Sequence, residues 1–477
     1  ITSLFTSPAL ARRCTMILRV VLSFGLVSYS ALSAPVNRDV MRILDATSAV
    51  VKQRVDVTVD EVGSSGYDYV VPAPASEHLA FIFAKQLKGA ELSVTLKRSD
   101  ATGKTFTIHS PEGSVVLRIR TVFTRMLTPL PASIRQGDDQ FVVLEDSHYF
   151  LSPYPTTSQT LTVKLDGAGK SEIVDYTQLE PSTLKNKGGA IVFGPYGDVA
   201  AMASSPMRVH FLNNAPFATF TDVLREIEVS HWGNIAVEEH FDLEHTGAKI
   251  AGGFSRLDYA RDFSKAMNAG RSTPAFRSLT ARLPGDAWGI YYRDRIGNVS
   301  TSMVKHEKGG VLMEVEPRYP MLGGWKINFY HGYNIPSSAG LSLINGERYS
   351  LEMNFGVPYE AVSCDHLEVK VVLPEGAYDI EVDVPFDVRM TNDRRFTYVD
   401  SKFMGGRPVI IFEKDNVVKE HNVPFTVTYR VRPMAMLIDV GILVGAYLLI
   451  YIVVMFVLRV NLTLEDAKPE GKKAKRQ

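Results

Sequence analysis

The sequence predicts a mainly β protein: two β-sandwich-like domains followed by a single transmembrane α-helix, the arrangement of a type I membrane protein. Three observations carry that reading. Strict apolar/polar alternation recurs in short runs through the middle of the chain. Clusters of Gly, Pro, Asn and Asp separate those runs. One uncharged apolar run long enough to span a bilayer stands near the C-terminus. At 477 residues the chain is too long for one ordinary domain. Its 45% hydrophobic and 22% charged residues are a globular balance that excludes wholesale disorder.

From the N-terminus, residues 1–15 precede the first Met and are set aside as a leader of unassigned status. Residues 16–33 read as a signal peptide: Arg19 supplies the charge, Val20–Leu32 is a short apolar stretch, and Ala31, Ser33 and Ala34 are the small residues a signal peptidase reads. Pro35 disfavours a cut after Ala34, which places cleavage between Ser33 and Ala34. A lumenal β-rich domain is expected over 34–222 and a second over 223–433, with the seam in the run from Ala215 to Ser230. Strands are expected at Val55–Val59, Val115–Arg120, Phe141–Leu144, Leu161–Leu165, Ile235–Leu243 and Leu367–Leu373. Turn signals such as Ser152-Pro153-Tyr154-Pro155 and Pro374-Glu375-Gly376 bound them. Helical pattern is sparse, with Ala75–Lys88 the best candidate, and no internal repeat is visible.

Residues 434–458 form the expected transmembrane segment. Val440–Leu458 is free of charge and would make about 28 Å of helix, against a hydrocarbon core of about 30 Å. Asp439 is placed in solvent at the interface; a polar contact with another subunit's helix is the alternative. Six Lys/Arg follow the helix and three, Lys419, Arg430 and Arg432, precede it, so the tail 459–477 is expected in the cytosol. Lys473 and Lys475 stand at the fifth and third positions from the end, the spacing of a di-lysine ER-retrieval signal. A basic juxtamembrane tail meeting acidic lipid explains them equally.

The formal net charge is zero. Three Arg and no acid in residues 1–33, and six bases against three acids after Leu458, leave the middle at −6 (0 − 3 − 3), which excludes an electrostatic footprint for nucleic acid. The two cysteines are Cys14, ahead of the signal peptide, and Cys364. The mature portion therefore holds no internal disulfide and no CxxC redox pair, and Cys364 is expected as a buried free thiol.

The search for chemistry is nearly empty. GxSxG, HExxH and a P-loop are absent, and no cofactor or metal is implied. The densest titratable run is Glu238–His245. As a strand it puts Glu238, His240, Asp242 and Glu244 on one face and His245 on the other, so the two histidines cannot share an ion. A solvated strand face is the favoured reading; His78, His109 and His148 are isolated and read the same way. Trp232 and Trp325, each beside Gly and Asn, are expected as core anchors rather than stacking platforms. Asn298-Val299-Ser300 is an N-glycosylation sequon after Gly297, and a hairpin turn there would expose Asn298 to modification. Asn461-Leu462-Thr463 has the same pattern but falls on the cytosolic side and should be unmodified.

The residues also carry a resemblance. Ile227–Glu239 (IEVSHWGNIAVEE) resembles the most distinctive segment of the ribophorin I family. Further matching strings are Gln140–Val143, His148–Pro155, Tyr291–Ser302, Glu316–Pro320 leading to Gly323–Lys326, Tyr333–Pro336 and Leu373–Gly376. They run in order through most of the lumenal portion. The resemblance implies a non-catalytic subunit of the oligosaccharyltransferase complex in the endoplasmic reticulum membrane. That complex moves an oligosaccharide from dolichyl diphosphate to Asn of Asn-X-Ser/Thr sequons. The resemblance places the chemistry and its metal in a different, multi-spanning subunit. It gives this chain a part in assembly and substrate presentation, with other subunits, the translocon, nascent chains and membrane lipid as partners. Two rivals stand beside it: a type I cargo receptor or lectin of the early secretory pathway, and a membrane-anchored enzyme using the Glu238–Glu244 face.

Overall fold

A computed structural model describes residues 35–460 apart from 88, 166–171, 186–188, 361, 397–404 and 433. The leader 1–15, the signal segment 16–33 with Cys14, the Asn461 sequon and the tail with Lys473 and Lys475 lie outside the described residues, as does the side chain of Asp439.

All six strand expectations hold. Val55–Val59 falls in the strand Val51–Val62, Val115–Arg120 in Gly113–Phe123, Phe141–Leu144 in Phe141–Ser147 and Leu161–Leu165 in Thr156–Lys164 with one residue beyond it. Ile235–Leu243 falls in Asn234–His245, and Leu367–Leu373 in Ser363–Val372 with one residue beyond it. Alternation produced these strands because each has one face on a core. Val55, Val57 and Val59 are fully buried while Asp56 and Thr58 between them are not. Each valine so buried contributes about 1.5–3 kcal/mol.

The strand pairing reveals something the sequence hides: the chain is built from two copies of one topology. In the first copy, the strand order of the large sheet is Ser182–Lys185, Ala190–Val199, Thr156–Lys164, Val36–Asp45, Val51–Val62, Gly113–Phe123, Leu79–Gln86, then the short edge Glu91–Leu92. In the second it is Arg389–Arg395, Arg407–Val417, Ser363–Val372, Ala218–Ser230, Asn234–His245, Lys326–Pro336, Trp288–Asp294. Position by position the order in the chain and the strand directions agree. In each copy the first strand pairs antiparallel with the second and parallel with a late one: Val36–Asp45 with Thr156–Lys164, and Ala218–Ser230 with Ser363–Val372. A four-stranded sheet repeats as well. Its strands are Ile173–Tyr176, Pro206–Leu212, Phe141–Ser147 and Leu127–Pro129 in one copy, and Ala377–Asp383, Pro424–Val431, Arg348–Asn354 and Leu341–Ile344 in the other. So does a three-stranded sheet, Tyr67–Pro72, Gly103–Ile108, Val94–Asp100 against Leu279–Leu283, Gly310–Val315, Met303–Glu307. One buried apolar cluster runs from Val40 to Phe217 and another from Ala218 to Tyr429. The absence of a repeat in the sequence is thus corrected at the level of topology, since alternation constrains only which positions are apolar.

The copies stack head to tail. The end of the first that carries the turn at residues 46–50 abuts the opposite end of the second. Val50 and Val122 pack with Val418, alongside Phe81. Thr124 Oγ1 donates to Asn416 Oδ1 at 2.6 Å, Lys52 pairs with Glu420 at 2.9 Å, and Arg125 pairs with Asp365. A parallel pair, Ser133–Ile134 with Lys249–Ile250, stitches the other side of the junction.

The helix expected at Ala75–Lys88 does not form. A single 3-10 turn, Ala75–Glu77, gives way to the strand Leu79–Gln86, which pairs with Gly113–Phe123. Phe81-Ile82-Phe83 favours a strand, and the waiting ladder decides it. The helix Arg256–Asn268 forms instead, with Ser255 Oγ accepting from Asp258 N at 3.3 Å as its N-cap. At the C-terminus, Ile438–Arg459 is a 22-residue helix, about 33 Å long, apolar enough to cross a membrane. None of its apolar window is buried against the rest of the protein.

Candidate functional site

The titratable run Glu238–Glu244 lies where alternation puts it, on the outer face of the seven-stranded sheet. Opposite Glu238, His240, Asp242 and Glu244 across the ladder are Glu226, Leu224, Asp222 and Thr219 on one side and Gly332, Tyr330, Asn328 and Lys326 on the other. Glu238, Asp242 and Glu244 are each engaged. His240 Nε2 is 2.8 Å from Glu238 Oε1, and the Tyr291 hydroxyl donates to Glu238 Oε2. Burial, with Glu238 beside it, pushes the Tyr291 hydroxyl well above its ordinary value. The His240 ring stacks on Tyr330 at 5.0 Å. Asn328 Nδ2 donates to Asp242 Oδ1 at 2.6 Å, and Lys326 pairs with Glu244 at 3.1 Å. Farther along, Arg395 pairs with Glu226 and Arg407 with Glu228. The face is a lattice of local pairs, and the small cleft that Glu226, Glu228 and Glu238 line is shared with Arg395 and Tyr291, which bond two of those acids. Among the described residues, no three His, Cys, Asp or Glu are grouped to hold a metal.

The inner face holds a constellation that sequence reasoning missed. Arg225, Glu239 and His331 are ladder neighbours on three adjacent strands, all turned into the core. Arg225 Nε lies 3.2 Å from Glu239 Oε1, and His331 Nε2 lies 3.3 Å from Glu239 Oε2. Arg225 also donates to the Gly356 carbonyl at 2.5 Å and to the Tyr333 hydroxyl at 3.4 Å. Burial opposes the charge on Arg225, but Glu239 and Tyr333 more than offset it and its pKa rises. Burial pushes the Glu239 carboxyl up while Arg225 pulls it back, and the two form an ion pair. His331 is held neutral, lowered to about 3 by burial and by Arg225. The trio braces the sheet, with Glu239 and His331 wholly buried and Arg225 at the wall of a cleft it shares with Tyr333, Gly340 and Tyr359. Alternation alone puts Glu239 on the inner face, opposite Glu238; its partners become visible only with the register.

The remaining candidates fall as follows. Asn298 is exposed, with Arg293 Nε donating to its Oδ1 at 2.8 Å. The expected turn is there in short form: Arg293 and Asn298 bridge antiparallel, Asp294 and Gly297 exchange backbone bonds at 3.0 and 3.2 Å, and Val299 N donates to the Tyr292 carbonyl at 3.1 Å. It does not extend into a longer hairpin, because Trp288–Asp294 pairs with Lys326–Pro336 while Met303–Glu307 joins the separate three-stranded sheet. Asn298 thus closes this turn at the start of the crossing between two sheets, after Gly297 at φ 139°, with Val299 buried beneath it. Trp325 is half-buried between Phe254 and Tyr319, a core anchor as expected. Trp232 is not: 70% of it is exposed, because the neighbouring His231 takes the inward place, bonding the Tyr429 hydroxyl at 2.9 Å. Cys364 is a buried free thiol whose Sγ donates to the His366 carbonyl, and burial pushes its pKa far up. His148 is buried between Ser205 and Thr177, and His109 bonds Thr95 at the surface.

Comparison with known proteins agrees across nearly the whole length. The dolichyl-diphosphooligosaccharide–protein glycosyltransferase subunit 1A of Arabidopsis thaliana is 34% identical over 472 residues, covering 95% of this chain and 75% of the relative. Subunit 1 of Caenorhabditis elegans is 36% identical, covering 90% and 73%. Subunit 1B of Oryza sativa subsp. japonica is 32% identical, covering 91% and 94%. Among solved structures, the leukotriene A4 hydrolase of Saccharomyces cerevisiae matches at 8% identity and a TM-score of 0.23 over 40% of this chain and 33% of that one, a likeness too slight to carry an argument. The family model for ribophorin I matches residues 35–459, and the chain belongs to that family.

Proposed function

We propose that the protein is a non-catalytic accessory subunit of the oligosaccharyltransferase complex, which glycosylates Asn-X-Ser/Thr sequons from a dolichyl-diphosphate donor. The observation that carries this is the family match over residues 35–459, with relatives named as subunit 1 of that transferase. The local pairing of every acid on the Glu238–Glu244 face supports a subunit that does no chemistry itself. In this reading the two β copies are two domains in the lumen of the endoplasmic reticulum. The helix Ile438–Arg459 spans the membrane, and Lys473 and Lys475 act as a cytosolic retrieval signal. The multi-spanning catalytic subunit is the principal partner, with the translocon and nascent chains beyond it.

A tagged chain recovered from membranes in mild detergent should bring down a multi-spanning subunit and transfer glycan to a sequon peptide. That activity should be unchanged in the H240A/D242A double variant. Recovery of the chain alone, or with cargo and no transfer activity, would favour the receptor reading. Loss of activity in the double variant with the complex intact would favour the enzyme.

Asn298 is the proposed glycan acceptor. The N298Q variant should migrate faster by one glycan and lose its shift on deglycosylation, whereas unchanged migration would remove that assignment.

A further inference from the structure

We propose that the free end of the second copy rests on the membrane surface, with the turn around Trp232 seated in the lipid headgroup layer. The head-to-tail stack leaves one end uncovered. In the first copy, the end bearing the 46–50 turn is buried against the second copy. The corresponding end of the second copy is formed by the turns at 231–233, 345–347 and 374–376, and no part of the described chain covers it. The large apolar side chains left open there are Trp232, Leu343, Ile344, Tyr378 and Phe396, between 40% and 70% exposed.

That same end is where the chain enters the apolar helix. The last strand, Pro424–Val431, finishes beside Ala377 and Tyr378, and the helix begins at Ile438. The six residues between them make seven Cα–Cα steps, which span at most about 24 Å even fully extended. Here they are shortened further by the 3-10 turn Ala435–Leu437, whose Ala435 is buried. A helix anchored in the bilayer therefore holds this end beside the headgroups. The side chains match that layer. Trp and Tyr are the residues enriched at membrane interfaces, where an apolar ring and a polar edge are both satisfied. Arg430 sits opposite Tyr378 on the ladder and Arg432 lies over the Tyr378 ring at 5.8 Å, at the level where guanidinium groups meet lipid phosphate. The turn is also stiff. His231 is clamped by the Tyr429 hydroxyl and packs on the Tyr349 ring at 4.3 Å, which leaves Trp232 no inward alternative. Residues scattered over several turn tips suit a fluid surface better than one shaped protein pocket.

The proposal rests on the reading of Ile438–Arg459 as a membrane span, and the test separates the two. The chain has three tryptophans and none lies in that helix. Full-length chain carrying only Trp232 (W288F/W325F) or only Trp325 (W232F/W288F) is reconstituted into phosphatidylcholine vesicles whose acyl chains carry bromine near the glycerol. Retention of the chain on alkaline extraction reports the span. With the chain retained, Trp232 emission should fall by about half in brominated against plain vesicles, while Trp325 emission is unchanged. Equal quenching of the two, or none, in retained chain overturns the proposal while leaving the span intact. Loss of the chain on extraction overturns both. A second measurement guards against a partner protein covering the end in the assembled complex. A photo-activatable group at residue 232 should label lipid, and transfer to another subunit instead would overturn the proposal.

Discussion

Arg225 holds the charge of Glu239 inside the core of the second copy. It is the cation beside Glu239 in a core where Glu239 is wholly buried and Arg225 nearly so. Removing one member of such a pair strands the other charge, so R225A should lower the unfolding free energy by about 3–5 kcal/mol. R225M/E239L, which removes both charges, should recover most of that loss in urea melts. The first copy buries an arginine from its own first strand too. Arg42 donates to Gln53 at 2.9 Å and pairs with Asp146 at 2.8 Å. How such residues were legible is uneven. The period of two put Glu238 and His245 on opposite faces from the sequence alone, and the same period carries Glu239 to the His245 side. That Arg225 and His331 would flank Glu239 depends on pairing across as many as 92 residues (331 − 239), which no local pattern encodes. Trp232 was misjudged for a related reason, since either His231 or Trp232 could have turned inward, and only the position of Tyr429 decides it.

At the level of elements, strands were the easy part and their partners the hard part. Alternating valines announced Val51–Val62 because its inner face is entirely buried. Leu79–Gln86 deceived because its run is apolar without alternation, and such runs fit a helix or a strand until a neighbour is known. The exposed helix Arg256–Asn268 did carry a signal, Ser255 three residues ahead of Asp258, which is a capping pattern. Connections are less forgiving than the strands they join. Gly323 passes so close to Lys249–Ile250 that an added Cβ would lie 1.7 Å from the Ala248 carbonyl oxygen. G323A should therefore cost at least about 2 kcal/mol in a thermal melt. It should also loosen the Ser133–Ile134 pairing, read as faster amide exchange at Lys249 and Ala251, whose N–H groups bond Ala132 and Ile134.

For the whole molecule the decisive contact is the junction between the copies, and it contains a titratable hinge pin. His421 is buried with its ring edge-on to Phe81 of the first copy and Phe386 of the second. Its Nδ1 accepts from Val418 N at 3.1 Å. Burial, with Lys414 nearby, lowers its pKa from 6.5 to about 3. The folded-state value is depressed, so the unfolded chain takes up a proton between pH 6.5 and about 3 that the folded chain refuses. Its contribution is whole above pH 6.5 and drains as pH falls, by about 1.4 kcal/mol per unit inside that window. Urea midpoints measured from neutral pH downward should show this slope, and H421Q should flatten it by that amount. Unaltered slope in H421Q would show that the ring is protonated without penalty.

The parallel closure of each large sheet also sets a clock. Thr219 lies opposite Ser363, and Asn37 opposite Thr156, so the central ladder of either copy waits for well over a hundred residues to be made. At a synthesis rate of about 5–20 residues per second, the edge of Ala218–Ser230 stands open for about 7–29 s as the nascent chain emerges. An unpaired, apolar strand edge of that kind is a template for the wrong partner. The chain thus passes through the same vulnerable state twice, once for each copy, each time it is synthesised.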